Sequence, residues 1–284
     1  MRPDFKHFPV LADRLFEAER SRVQIGLIST DYPGITLDDA YAIQQLLIDR
    51  KVAAGRCITG WKIGLTSRAM QMALDIDFPD SGVIFDDMHF ESGTRVPPDR
   101  FIKPRIEAEI VFIMNRDLDG RGSVSRDDVL AATESVCPSL EILDTRIVRR
   151  DPENGRTRTV FDTIADNAAN AGIVLGPDRH RPGAHDLRRV GAIVTRNGIV
   201  EETGLGAGVL DDPALAVGWL AERLATCGQA IRAGDVVLSG SFTRPIEARP
   251  GDRFHADFGD FGIVDIEFGT VESEAPDTQS SGQN

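Results

Sequence analysis

From Gly60 onward, short runs of β-branched and apolar residues alternate with clusters of Gly, Pro and Asp. GWKIGLTS, GVIFDDM, IEAEIVFIM, SLEIL, AGIVLG and DVVLSG have the length and residue content of strands. VGAIVTRNGIVEETG reads as a hairpin, because Asn197-Gly198 suits a tight turn in which both central residues need positive φ. The closing GIVDIEF alternates cleanly, with Val264, Ile266 and Phe268 on one side and Asp265 and Glu267 on the other. A segment built this way must pack as a β-rich body with long loops.

The chain before Gly60 reads as helical. Thr36 is a natural N-cap for TLDDAYAIQQLLIDRKVAAG, where Ala40, Ile43 and Leu47 share a face and Gly55 closes the helix. Two more helices are expected within the body. One is SRDDVLAATESV, capped by Ser125 or Asp128, with Val129, Ala132 and Val136 aligned. The other opens at Asp212-Pro213 and stops at Gly228. VESEAPDTQSSGQN is polar and unpatterned, which predicts a disordered tail. The expected class is α+β: residues 1–59 as a helical region packed on the body, 60–269 as the functional β-rich domain and 270–284 as tail.

With 284 residues, 41% of them hydrophobic, a sizeable core is available. No apolar run approaches the roughly 18 residues of a membrane span, and the opening MRPDFKHFPV lacks the apolar stretch of a secretory signal. Lys and Arg total 32 against 45 Asp and Glu, a net charge of −13. That balance argues against nucleic acid or an anionic membrane as partner. An anionic substrate would need local attraction from a metal ion or a few cleft cations. Cys57, Cys137 and Cys227 form no zinc pattern and read as reduced, buried residues of a cytoplasmic protein.

PRIEAEIVFIMN carries the sharpest chemistry. On a strand, Glu107 and Glu109 share a face with Val111 and Ile113, while Ile106, Ala108 and Ile110 take the other. A Glu-X-Glu pair is commonest on the solvated face of an edge strand. Here apolar residues occupy both faces further along, which favours a buried strand. Two buried carboxylates repel and lose hydration, so they need a cation or a proton. Glu141 has the same setting between Leu140 and Ile142. Three carboxylates without a neighbouring His or Cys suit Mg²⁺ or Mn²⁺.

Lys62 sits in an apolar run beside Trp61, where a lysine either snorkels from a strand end or, if held inside, takes a lowered pKa. Asp80, Asp86 and Asp87 are turn residues or acid–base partners. The five histidines form no metal spacing, and His255 alone suggests a cleft position. Ser239 and Ser241 follow the strand DVVL, where loops often line a site. No Gly-X-Ser-X-Gly elbow supports serine-hydrolase chemistry.

GWKIGLTS, PDSGVIFDDM, PRIEAEIVFIM, PSLEILDTR, DTIADNAANAGIVLG and LSGSFTRPIEARPGD occur in this order. Together they resemble the hydratase/decarboxylase branch of the fumarylacetoacetate hydrolase superfamily, over about Leu11 to Phe268. The resemblance implies a twisted mixed sheet or barrel-like fold with an N-terminal helical region. It implies a divalent metal, Mg²⁺ or Mn²⁺, held by Glu107, Glu109 and Glu141, with Lys62 and Asp80 catalytic. Leu65, Asn167, Ser241, Thr243 and Arg244 are the substrate-binding positions expected with it.

Within the branch, the loop Asp151–Arg158 resembles hydratases acting on seven-carbon 2-oxo-enedioates. Related decarboxylases usually carry Lys where Arg105 stands, and often serines after the Asp166-Asn167 pair, where this chain has Ala168 and Ala169. The implied reaction moves a proton so that the double bond conjugates with the ketone, then adds water at C4 to give a 4-hydroxy-2-oxo acid in aromatic catabolism. Hydration of 2-oxopent-4-enoate and decarboxylation of 4-oxalocrotonate are the alternatives. Arg146 and Arg244 are candidates for a second substrate carboxylate, and Trp61 for reshaping the pocket. The resemblance also implies a dimer-based homo-oligomer, up to a decamer, and a decarboxylase or aldolase as pathway partner.

Overall fold

The computed structural model describes residues 3–73 and 75–270; the expected tail falls, apart from Thr270, outside the described residues. Seven α-helices are described: α1 (Phe8–Ser21), α2 (Ile28–Asp31), α3 (Leu37–Ala53), α4 (Arg68–Ala73), α5 (Arg126–Ala132), α6 (Val160–Ala165) and α7 (Pro213–Thr226). Six strands precede α6: β1 (Ile58–Gly64), β2 (Asp80–Phe85), β3 (His89–Glu91), β4 (Thr94–Val96), β5 (Arg105–Met114) and β6 (Thr133–Leu143). Seven follow it: β7 (Asn170–Leu175), β8 (Gly191–Arg196), β9 (Ile199–Leu205), β10 (Val236–Ser241), β11 (Ile246–Glu247), β12 (Arg253–Asp257) and β13 (Ile263–Phe268).

The local signals act as expected at most ends. Thr36 accepts from the Asp39 amide and Asp39 reaches back, a capping box that starts α3. Asp212 caps α7 with Pro213 in its first turn. Asn197 and Gly198, at φ 55° and 81°, join β8 to β9. The helix expected through Val136 is shorter. Ser125 caps α5, but α5 stops at Ala132 and Thr133–Leu143 runs as β6. Val136 and Cys137 pair there with Phe112 and Val111 of β5, so a long antiparallel ladder outweighs one more helical turn.

The larger sheet is mixed, ordered β2-β1-β10-β5-β6-β7-β3, with β11 added to β5. Its two edge strands are consecutive in the chain. Only Asp86–Met88 separate β2 from β3, so the edges lie within about 14 Å at that end. The sheet must therefore curl strongly. No ladder joins β2 to β3 among the described residues, so the expected twisted sheet forms but does not close as a barrel. The second sheet runs β4-β13-β12-β8-β9. The main core fills the space around β5, β6 and β10. A smaller core joins Leu11, Leu15, Ile43 and Leu47 of α1 and α3 to Ile147 and Ile164 from beyond β6.

No helix among the described residues is long and apolar enough to cross a membrane. All three cysteines are free. Cys137 is buried as expected, whereas Cys57 and Cys227 are exposed, because they fall in the turns that end α3 and α7 rather than on a packed face.

Candidate active site

Strand register brings the three glutamates together. Glu107 of β5 lies directly opposite Glu141 of β6, and Glu109 follows on the same face, opposite Ser139. Carboxylate oxygens from all three lie within 4.8 Å of one another. Glu109 and Glu141 are buried, and Glu107 faces a cavity of about 480 Å³. Gly240, with φ +113°, donates its amide to Glu109 Oε2 at 2.9 Å. Glu109 Oε1 and both oxygens of Glu141 have no hydrogen-bond partner. Burial, then repulsion by Glu141, pushes Glu107 up to about 8; the same two causes raise Glu109 well above the carboxylate range. Burial likewise raises Glu141.

Lys62 comes from β1, between β10 and β2. Its Nζ lies 3.4 Å from Glu141 Oε1 and donates to the Ala168 carbonyl at 3.1 Å. The lowered pKa expected from the sequence is reversed. Burial pulls the ammonium down, but Glu141, Asp80 and Glu109 together hold it above the ordinary lysine range. Asp80, at the start of β2, pairs with Gly64 across the ladder; it is buried, its carboxyl is raised by burial, and Oδ1 has no partner. Gly64 leaves both side chains their room. A Cβ would sit 2.2 Å from Asp80 Oδ1 and 2.9 Å from Lys62 Nζ.

The Ala168 carbonyl is aimed by an unusual turn. Asn167, Ala168 and Ala169 all take left-handed φ, at 52°, 51° and 59°, a conformation costing about 1–2 kcal/mol per alanine. Asn167 holds the turn by pairing its side chain with both the amide and the carbonyl of Val83, at 2.8 and 2.9 Å. Its amide is thereby committed to β2, and Ala168 and Ala169 line the cavity in its place.

Leu65, Ser241, Thr243 and Arg244 do line the cavity. Leu65 follows β1 with φ 56°. Ser241 donates to the Thr243 carbonyl at 2.8 Å, and Thr243 Oγ1 accepts the Ala108 amide at 3.0 Å, bracing the turn after β10. Arg244 is ion-paired with Glu202 at 2.6 Å. Arg146 does not reach the cavity. It is fully buried, with its guanidinium spent on Asp166 and the carbonyls of Asp166 and Asn170. Trp61 also points away, because alternation along β1 sends it opposite Lys62, where its indole donates to Asp235 at 3.1 Å.

Asp86 and Asp87 pair with Arg56 and lie outside the cavity. His255 pairs with Asp265 on the second sheet, and Ser239 is buried away from the cavity. Arg105 and Arg158 line the cavity without having been singled out as site residues, although both stand beside motifs that drew attention. A larger open cleft of about 950 Å³ over β8 and β9 is lined by one ionisable residue, Asp257, and offers no comparable chemistry.

The donor set defines the class. Three convergent carboxylates, two of them with buried oxygens that no hydrogen bond satisfies, suit a hard divalent cation, with a buried lysine and a carboxyl poised for proton transfer beside it. Residues 67–272 match the family model described as fumarylacetoacetate (FAA) hydrolase C-terminal. The chain is 49% identical to the 2-oxo-hept-4-ene-1,7-dioate hydratase of Escherichia coli, over 91% of this chain and 97% of that one. It is 38% identical to a 2-keto-4-pentenoate hydratase of Paraburkholderia xenovorans (strain LB400), over 90% and 93%. Among solved structures it resembles the 4-oxalocrotonate decarboxylase of Pseudomonas putida G7 complexed with magnesium and adipate, with TM-score 0.87, 33% identity and 94% and 100% coverage. The chain belongs to the fumarylacetoacetate hydrolase family.

Proposed function

We propose that this protein is a metal-dependent hydratase that adds water to 2-oxo-hept-4-ene-1,7-dioate, giving a 4-hydroxy-2-oxo diacid. The observation that carries the reading is the meeting of Glu107, Glu109 and Glu141 with Lys62 and Asp80 in one cavity. The 49% identity to a hydratase of that name supports the substrate. Mg²⁺ fits a site built only from oxygen donors, and Mn²⁺ shares the preference. Held by the three glutamates, such an ion would act as a Lewis acid toward the 2-oxo group and stabilise the enolate form.

The chain's own groups handle protons. Neutralising the three carboxylates removes most of the attraction that keeps Lys62 charged, which leaves its amine able to exchange a proton. Asp80, whose carboxyl is raised by burial, stands next to it. Together they move a proton from C3 to C5, which brings the double bond into conjugation with the ketone. Water then adds at C4, and C3 takes a proton back. Leu65, Ser241 and Thr243 shape the wall around the reacting carbons, and the Ala168 carbonyl orients Lys62.

We place the enzyme in the cytoplasm and read it as a dimer-based homo-oligomer; the apolar Ile193, Ile199, Val200 and Leu205 exposed on β8 and β9 support the association. The test is turnover of the seven-carbon 2-oxo-enedioate by metal-stripped protein with Mg²⁺ restored, products resolved by mass. Mg²⁺-dependent gain of one water, absent in Glu107→Ala, is the expected result. Loss of CO₂ instead would make the protein a decarboxylase.

A further inference from the structure

A seven-carbon diacid carries a second carboxylate that must be met by a cation, because burying it unpaired is costly. The two arginines expected for that task are otherwise occupied: Arg146 is saturated by Asp166, and Arg244 is 78% exposed and bound to Glu202. Two other arginines face the cavity with capacity to spare. Arg105 opens β5, and its Nε is buried without a hydrogen-bond partner. Its only ion pair among the described residues is with the exposed Glu247, at 3.4 Å. Arg158 projects from the loop before α6. It donates to Thr145 Oγ1 at 2.5 Å and has no carboxylate within ion-pair distance among the described residues.

Position also fits. Arg105 precedes Glu107 by two residues on the same face of β5, so their Cα atoms stand about 6.8 Å apart along the strand, close to the roughly 6 Å that the five extended bonds from C2 to C7 would span. Positive charge is crowded here, within a protein of net charge −13. Arg149, behind the pair, is lowered to about 10 by burial and by repulsion from Arg105 and Arg158. Arginine can grip a carboxylate with two hydrogen bonds, and a buried donor without a partner gains most from one.

We infer that Arg105 and Arg158 bind the distal carboxylate of a dicarboxylic 2-oxo acid and set this enzyme's preference for a diacid over a monoacid. The inference rests on the hydratase reading for the reaction but not for the binding. Its test compares the seven-carbon diacid with 2-oxopent-4-enoate in Arg105→Met, Arg158→Met and Arg158→Lys. The Met variants should lower the diacid-to-monoacid ratio of kcat/KM about tenfold or more, mainly through KM, and Arg158→Lys should restore part of it. A ratio unchanged from wild type in the Met variants, or equal losses on both substrates in all three, overturns the assignment. Calorimetry with Mg²⁺ and the saturated analogues 2-oxoheptanedioate and 2-oxopentanoate gives a second readout. Wild type should favour the diacid and the Met variants should not. Should wild type hydrate neither substrate, the hydratase reading fails, while the binding ratio still decides the role of the arginines.

Discussion

Glu107, Glu109 and Glu141 face one another because of strand register, and Lys62 is the one cation within ion-pair distance of any of them among the described residues. The metal-free site is therefore under electrostatic strain, with a signature in pH. The folded-state pKa of Glu107, about 8, exceeds its ordinary 4.5. Between those values the folded chain binds a proton that the unfolded chain has released, so its contribution to stability falls as pH rises. Urea unfolding of metal-stripped protein should show decreasing stability from pH 5 to 8, flattened by saturating Mg²⁺. For the same reason Mg²⁺ binding near pH 7 should release protons, read by calorimetry in buffers of different ionisation heat. Glu107→Gln puts a neutral amide where the folded chain otherwise has to take up a proton, and so removes that cost. It should raise the metal-free Tm by about 2–4 °C, the effect of about 1 kcal/mol, while weakening Mg²⁺ binding and abolishing hydration.

Between α6 and β7 the chain makes the left-handed turn that aims a carbonyl at Lys62. Asparagine tolerates this conformation better than most residues, and its side chain satisfies both polar groups of Val83. Asn167→Ala would leave the buried Val83 amide unpaired, while the Val83 carbonyl keeps the Asn170 side-chain amide at 3.0 Å, so it should cost about 1–3 kcal/mol in denaturant unfolding. Activity should fall further than stability accounts for, because the Ala168 carbonyl loses its fixed aim at Lys62. Activity of the variant measured well below its Tm, with folding verified by circular dichroism, separates the two effects.

The helical layer and the sheet are tied together behind the site by Arg146. Its guanidinium binds Asp166 at the end of α6 and the Asn170 carbonyl at the start of β7. Its own carbonyl accepts the Ile25 amide at 2.8 Å, beside the smaller core. Deleting one partner of a fully buried pair leaves an uncompensated charge, so Asp166→Ala should destabilise the protein by about 3–5 kcal/mol. Arg146→Met combined with Asp166→Ala should recover part of that loss, read by urea unfolding of both variants.

The residues alone determined the chain's elements and the nature of its site chemistry. Period-two runs marked the strands, Thr36 and Asp212 marked helix starts, and apolar flanks marked Glu109 and Glu141 as buried, with Glu107 half-buried beside them. These signals are local, since alternation and capping are settled within a few residues. The carboxylates' meeting depended on the β5–β6 register, a pairing between distant segments. Tertiary structure also decided which arginines are free. Arg146 and Arg244 stand beside motifs much as Arg105 and Arg158 do, and only the partners brought by folding distinguish a spent cation from an available one. It sent Trp61 away from the cavity and Lys62 into it, turned the end of α5 into strand, and set the sign of the Lys62 shift. That sign belongs to the summed field of Glu141, Asp80 and Glu109, which three separate strands must assemble before it exists.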